Sequence, residues 1–325
     1  MQVIRATAPG GPEVLQLVTV PDPTPTAEQI LVRVRATALN RADTLQRAGN
    51  YPPPPGETDI LGLELAGEVE AIGSAVTDIT PGDRICALVG SGGYAEKAVL
   101  DARMAIPIPS GWSFVQAAAI PEVFFTAQET MFTLGNLKAG ETVLIHAAAS
   151  GVGTAGIQMA RETGARVLVT AGSTEKIQRC IELGATAGCN YKERDFADWV
   201  KEVTNGQGVD LIEDFIGAGY WNKNIQSLKI GGRLVLVGLM GGVKVEVNLQ
   251  LIMAKRLQIF GSVLRARMLA EKIAITQRFT QNWLPLLASG RIKPIVDRIF
   301  PLARAADAHR YMEENKNFGK IILEV

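Results

Sequence analysis

From Thr142 onward, apolar residues come in short continuous runs instead of alternating with polar ones. The runs are Thr142–His146, Arg166–Thr170, Ala187–Tyr191, Val209–Phe215, Arg233–Leu239 and Leu257–Val263, rich in the β-branched residues that suit strands buried on both faces. Between them Thr174–Leu183, Asp195–Thr204, Tyr220–Leu228 and Asn248–Lys255 have helical spacing, as do Val152, Ile157, Met159 and Ala160 after the first run. Six strands alternating with five helices predict an α/β fold with a doubly wound parallel sheet.

The first 120 residues obey another rule. Short alternating runs at Val3–Thr7, Val14–Val20, Ile30–Thr37, Leu63–Ile72, Arg84–Leu88 and Ala95–Leu100 are separated by glycines and prolines. That pattern predicts a mostly antiparallel, barrel-like β domain. Asn40–Ala48 is its one helical segment, with Asn40 at the N-cap. A helix over Pro121–Asn136 leads into the parallel sheet. After Leu264 come a long helix over Met268–Ser289, a strand at Ile295–Phe300, a helix at Ala303–Glu314 and a strand at Lys320–Val325. The parallel sheet is complete by then, so this tail is expected to rejoin the N-terminal part. Residues 1–120 and 265–325 would form one domain, and 121–264 an inserted one.

The first strand–helix junction carries the chemistry. Gly151, Gly153 and Gly156 form G-x-G-x-x-G after a strand and at the start of a helix. There glycines permit a tight turn, close approach to a pyrophosphate and close helix–strand packing. Ser150, Gly151, Val152 and Gly153 would face the phosphates with N–H groups of the helix N-terminus. A strand–helix turn holding no ligand would use the same glycines; the strand–helix alternation downstream favours a dinucleotide.

A sheet binding NAD usually ends its second strand in Asp or Glu, which accepts from the ribose 2′-hydroxyl. Here the tip reads Ala171-Gly172-Ser173-Thr174, and Ser173 and Lys176 offer a hydroxyl and a cation to a 2′-phosphate. Tyr191 would add a phenol or cover the adenine. Ser173 and Lys176 also read as an N-cap and an exposed helix lysine, and both readings can hold together. Glu175 is the discordant charge. NADPH is expected over NADH.

Charge and composition exclude several classes. Lys plus Arg and Asp plus Glu are both 33, so no general field draws nucleic acid or an anionic membrane. No apolar run approaches the roughly 18 residues of a spanning helix, and Met-Gln-Val-Ile-Arg lacks a signal peptide's features. Cys86, Cys180 and Cys189 form no disulfide framework, which fits a reducing compartment. A soluble cytoplasmic protein is expected.

The chain resembles the medium-chain dehydrogenase/reductase superfamily, and within it the zinc-free, zeta-crystallin-like quinone oxidoreductases. The likeness rests on Asn40-Arg-Ala-Asp43 with Tyr51-Pro52, Gly62-Leu-Glu-Leu-Ala-Gly67, Gly82-Asp-Arg84, Ala149-Ser-Gly-Val-Gly153, Ala171-Gly-Ser-Thr-Glu-Lys176, Gly238-Leu-Met-Gly-Gly242 and Gly319-Lys-Ile321. Tyr311–Asn317 looks like the family's stress-inducible branch, whereas Ser150 departs from the glycine often found there. The resemblance implies a doubly wound Rossmann sheet inserted into a GroES-like catalytic domain. Zinc-dependent relatives carry histidine where Leu63 stands, and His146 and His309 share no zinc spacing, so no metal is expected.

The resemblance also implies a set of site residues. The acceptor would lie near Asn40, Asp43 and Tyr51: Asn40 donating its amide, Tyr51 stacking or donating its phenol, and Asp43 orienting neighbours. The same residues also read as a cap, a first-turn acid and a loop tyrosine. By the same likeness Thr126 would lie beside the nicotinamide or phosphates, Gly217 and Leu239-Met240-Gly241 near the nicotinamide ribose, and Ser262 and Leu264 near the carboxamide; Asn317 would be a further contact. The activity that the family implies is NADPH-dependent quinone reduction by metal-free hydride transfer. An enone or enoyl reductase is the nearest alternative, and a nucleotide-binding structural or RNA-binding protein a more distant one. The sixth strand is an apolar sheet edge, where a homodimer would pair.

Overall fold

A computed structural model describes all 325 residues, which divide into two compact units. One comprises Met1–Phe125 with Leu264–Val325, the other Thr126–Val263.

The second unit is a six-stranded parallel sheet in the spatial order Ala187–Asn190, Arg166–Ala171, Thr142–Ile145, Val209–Asp214, Leu228–Leu236 and Gln258–Gly261. In chain order this is 3-2-1-4-5-6, the doubly wound arrangement. Helices Gly151–Glu162, Thr174–Leu183, Phe196–Val203, Trp221–Ser227 and Leu249–Lys255 connect the strands. Val143, Leu144 and Ile145 are fully buried, as are Val167, Leu168 and Val169. Two faces covered by helices explain why these strands show no polar alternation. Thr174–Leu183 has sharp limits because Ser173 caps its N-terminus and Gly184, at φ +121°, ends it.

The first unit is built on a seven-stranded sheet. Val296–Pro301, Lys320–Glu324, Gln29–Ala38, Glu64–Ile72, Arg84–Leu88 and Ile106–Pro107 lie side by side, and Lys97–Asp101 also pairs with Gln29–Ala38. Gln2–Ala6 and Leu15–Thr19 make a separate antiparallel pair. The sheet is mixed, because Val296–Pro301 pairs in parallel with Lys320–Glu324, with the helix Ala305–Glu313 crossing between them. Gly67 is required where the central strands meet: a Cβ there would lie 2.1 Å from the Arg33 carbonyl.

Two helices depart from their expected form. Met268–Ser289 is not one helix but Leu269–Asn282 followed by Leu284–Ala288. Pro285 has no N–H to continue the ladder, and the chain steps out at Trp283 and restarts. Helix Pro121–Ala127 widens into π turns over Gln128–Leu134, where Gly135 N–H reaches the Thr130 carbonyl. Thr130 Oγ1 bonds the Thr126 carbonyl at 2.7 Å and Glu213 Oε1 at 2.5 Å, competing with the regular ladder. No helix is long and apolar enough to cross a membrane.

Candidate active site

All six strands of the parallel sheet run the same way, so the residues just past their ends share one edge. Ser150, Gly172, Tyr191, Gly217, Leu239 and Ser262 each lie just beyond a strand's carboxyl end. Ligands of open α/β sheets bind at that edge. Ser150 takes the N-cap position of Gly151–Glu162; its hydroxyl accepts from Gly153 N–H at 3.1 Å and its carbonyl from Thr154 N–H at 2.9 Å. The Gly151 and Val152 N–H groups of the first turn remain for a ligand, and no acid stands in that turn to repel an anion. At Gly153 a Cβ would lie 2.5 Å from the Ala148 backbone, so the turn closes only on glycine. At Gly156 a Cβ would meet the Met131 methyl at 2.9 Å, which keeps the helix close to its neighbours.

The expected 2′-phosphate end is compact. Ser173 Oγ accepts from Lys176 N–H at 3.2 Å, and the Lys176 side chain is half-buried. A Cβ on Gly172 would meet the Tyr191 hydroxyl at 2.8 Å and Lys192 Cε at 3.4 Å. Lys192 thus adds a cation that the sequence did not single out; its position beside Tyr191 was the available signal.

A buried hydrogen-bond network sets the loop bearing Gly217. Asp214 accepts from Ile216 N–H at 2.7 Å, Gly217 N–H at 3.1 Å and Asn224 Nδ2 at 3.1 Å, and burial raises its carboxyl to about 6. Asn224 Oδ1 faces His146 Nε2 at 2.8 Å, and His146 Nδ1 faces Thr170 Oγ1 at 2.9 Å. With the Asn224 amide pointing at Asp214, His146 carries its hydrogen on Nε2 and accepts from Thr170 on Nδ1. Burial lowers its pKa to about 4, keeping it neutral. Gly217, at φ +77°, leaves no room for a side chain: a Cβ would lie 2.7 Å from Leu239 Cδ2. Gly241 N–H bonds the Ile216 carbonyl at 2.7 Å, while Leu239 and Met240 are exposed. Thr126 is buried at this unit's first residue, and Ser262 N–H bonds the Leu236 carbonyl at 2.9 Å.

In the other unit, Asn40 and Asp43 meet in a buried polar cluster. Asn40 stands at the N-cap of Arg41–Arg47, but its side chain does not cap. Its amide donates to Glu64 Oε1 at 2.8 Å and the Ala38 carbonyl at 3.3 Å, and its oxygen accepts from Lys320 Nζ at 2.8 Å. Both ends of the amide are thereby engaged within the protein. Asp43 does the capping: Oδ2 accepts from Asn40 N–H at 2.8 Å and the Tyr94 hydroxyl at 3.1 Å, and Oδ1 from Gly62 N–H at 3.2 Å. It is fully buried, which raises its carboxyl to about 6. Lys320 Nζ also donates to Glu64 Oε1 and the Leu39 carbonyl, each at 2.7 Å, so its three hydrogens are all placed.

Tyr51 is half-buried, and its phenol pKa is raised by burial, so it stays a proton-bearing donor. Its ring lies under the Arg265 guanidinium, 5.2 Å from the centroid. Arg265 Nη1 donates to the Tyr51 carbonyl at 3.2 Å, Nε to the Gly90 carbonyl at 2.7 Å and Nη2 to Gln46 Oε1 at 2.6 Å. Sequence reasoning missed Arg265, which lies 214 residues from Tyr51. Its neighbour Leu264 is buried, and Asn317 Nδ2 bonds the Gly319 carbonyl at 2.9 Å. His309 packs edge-on against Tyr94 and accepts from Arg47 Nη1 at 3.1 Å; burial, then the Arg47 charge, lower its pKa to about 3. A catalytic zinc does not fit. Leu63 offers no donor, both histidines are committed to buried hydrogen bonds, and no three His, Cys, Asp or Glu side chains are placed to hold a metal ion.

Residues 151–279 match the family described as zinc-binding dehydrogenase, and residues 26–110 the alcohol dehydrogenase GroES-like domain. A quinone oxidoreductase of Rattus norvegicus is 35% identical over 326 residues, covering 99% of this chain and 97% of the relative. The Escherichia coli quinone oxidoreductase complexed with NADPH superposes with a TM-score of 0.91 at 32% identity, covering all of both chains. The CurK enoyl reductase superposes with a TM-score of 0.89 at 26% identity, covering 99% of this chain and 98% of the other.

The buried Lys320–Glu64 pair yields a direct prediction. Lys320→Met leaves the Glu64 charge uncompensated and is expected to lower stability by about 3–5 kcal/mol in urea unfolding. A loss of only about 0.5 kcal/mol, as at ordinary surface sites, would contradict this account of the cluster.

Proposed function

The chain belongs to the quinone oxidoreductases of the medium-chain dehydrogenase/reductase superfamily, and we propose that it reduces quinones with NADPH by hydride transfer without a metal ion. The observation that carries this reading is the acid-free cradle at the sheet's carboxyl edge, in a chain alike over its whole length to an enzyme complexed with NADPH.

When bound, the cofactor supplies a hydride from its nicotinamide. Gly151 and Val152 would hold the pyrophosphate through their N–H groups, with Ser150 and Gly153 shaping the turn and Gly156 keeping the helix near. Ser173, Lys176 and Tyr191, joined by Lys192, would receive the 2′-phosphate beside Gly172. Thr126, Gly217, Leu239, Met240, Gly241, Ser262 and Leu264 would line the nicotinamide half, with Asn317 a further contact. Tyr51 would donate its phenol to the acceptor oxygen, having no hydrogen-bond partner of its own. Asn40 and Asp43 would act through position, holding the helix and loop that lead to Tyr51. A quinone gives a delocalised anion on accepting hydride, so positioning and exclusion of water carry much of the rate.

An enone or enoyl reductase is the second reading, favoured by the likeness to the CurK enoyl reductase. We further propose a homodimer paired along Gln258–Gly261, an edge strand flanked by exposed Met253 and Val263.

NADPH consumption across short quinones, 2-enals and enoyl thioesters tests the reading; higher kcat/KM for quinones is expected, and preference for the alkenes would replace it with the second. Lys176→Ala is expected to raise KM for NADPH roughly tenfold, the value of one charge-assisted contact, with little change for NADH. Equal changes for the two would contradict a 2′-phosphate site. Tyr51→Phe should lower kcat for acceptor reduction about tenfold at unchanged NADPH affinity, and unaltered turnover would remove the phenol from the mechanism.

A further inference from the structure

One acid of the parallel-sheet unit is buried without a cation. Glu213 lies in strand Val209–Asp214, fully buried, as are its ladder partners Ile145 and Val235. Its Oε2 has no hydrogen-bond partner. A Cβ built on Gly156 would lie 3.4 Å from that oxygen, 2.9 Å from Met131 Cε and 3.5 Å from Ile145 Cδ1, so Oε2 looks onto bare helix among apolar groups. The titratable groups around it are bonded elsewhere. Arg233 on the adjoining strand pairs with Glu141 at 2.7 Å, and Glu129 on the widened turns accepts from Thr133 Oγ1 at 2.9 Å. Asp214 and His146 belong to the network that ends on Gly217.

The other oxygen shows where a proton must be. Thr130 Oγ1 stands 2.5 Å from Glu213 Oε1, 2.7 Å from the Thr126 carbonyl and 3.4 Å from the Ala127 carbonyl. A hydroxyl has one hydrogen, and carbonyls only accept. Were Glu213 a carboxylate, one of the two shortest contacts would bring oxygens together with no hydrogen between them. A hydrogen on Oε1 satisfies both: Glu213 donates to Thr130, and Thr130 donates to Thr126.

We propose that the Glu213 carboxyl proton latches the π turns of Gln128–Leu134, and that its loss draws the Thr130 hydrogen from the Thr126 carbonyl onto the new carboxylate and loosens those turns. The device lies within Thr126–Val263 and involves no ligand. The step balances: the Glu213 O–H bond breaks, its proton goes to water, and Thr130 re-aims the hydrogen it already holds. The bonds that depend on the latch are those of Gly135 N–H to the Thr130 carbonyl and Leu137 N–H to the Met131 carbonyl, each at 2.9 Å. Gly135 also backs onto the Glu213 strand, since a Cβ there would lie 2.8 Å from Leu211 Cδ2.

Burial favours the acid form and raises the Glu213 carboxyl from 4.5 to about 8, opposed only by the Thr130 hydroxyl turned toward the carboxylate. Between those two values the folded chain holds a proton that the unfolded chain has released. The stabilisation is therefore complete below about 4.5 and drains away as pH rises through about 8.

The test compares wild-type protein with Glu213→Gln, whose amide donates to Thr130 and does not titrate. The infrared difference between the two is expected to hold one carboxylic-acid band at neutral pH that disappears with a midpoint near 8. In urea unfolding, the wild-type folding constant should fall relative to that of Glu213→Gln by up to about tenfold per pH unit between those limits. Amide exchange in the wild type, corrected for its intrinsic pH dependence, should quicken at Gly135 and Leu137 about tenfold from one unit below that midpoint to one unit above it, relative to Leu168 in the sheet. This last readout needs no variant, so it stands even where Glu213→Gln fails to fold. Absence of the acid band at neutral pH, parallel stability curves, or exchange at Gly135 and Leu137 that keeps pace with Leu168 would each overturn the latch.

Discussion

One buried ion pair organises the first unit. Lys320 and Glu64 lie 256 residues apart in the chain and meet at 2.7 Å with both side chains out of water. Removing two charges from water costs several kcal/mol, and the pair is tolerated because every hydrogen on the ammonium and both carboxylate oxygens are bonded. Those bonds run to the end of strand Gln29–Ala38, to Asn40 and to the helix that begins at Pro121. The last strand, Lys320–Glu324, is thus pinned to the first part of the chain by charge as well as by its ladder to Gln29–Ala38. Asp43, Tyr94, His309 and Arg47 extend the same network from helix Arg41–Arg47 to helix Ala305–Glu313.

The nucleotide-binding unit solves a similar problem without a formal charge pair. Thr170, His146, Asn224 and Asp214 form a chain of hydrogen bonds under the ends of the first, second and fourth strands. A neutral imidazole suits this place, because an imidazolium would find no acceptor at Nδ1 beyond a hydroxyl. The chain ends on the N–H groups of Ile216 and Gly217, so buried polar chemistry sets the loop that the nucleotide would approach. Glu213, one residue before Asp214, is raised to about 8 by burial and faces Thr130 at the widened helical turns. Both units therefore keep buried carboxyl groups that are protonated more readily than in water.

Much of the α/β layer could be read from the chain because its strands are buried on both faces and its helices carry their own punctuation. Ser173 and Gly184 delimit one helix within a residue of its expected ends, and the β-branched run at Val167–Val169 needs no partner to declare itself. Leu228–Leu236 was less legible: Leu228 reads as a helix end and the strand as beginning at Arg233, although Leu228 already pairs with Val209. The parallel pairing of Val296–Pro301 with Lys320–Glu324 was hidden because register between distant strands leaves no local mark. The break at Trp283 was available in Pro285, but the apolar period across it is helical on both sides. In the candidate site, residue types were legible and their partnerships were not. Asn40 looks like a cap and serves the Glu64–Lys320 pair, while Arg265 acquires meaning only when Tyr51 is beside it.

The central claim is that a reduced nicotinamide dinucleotide lies along the carboxyl edge of the parallel sheet with its 2′-phosphate at Gly172. Titration of wild-type protein against the intrinsic fluorescence of NADPH and of NADH tests it most directly. Saturable binding of one NADPH per chain, tighter than that of NADH, is the predicted result. No saturable binding of either, or tighter binding of NADH, would contradict the claim.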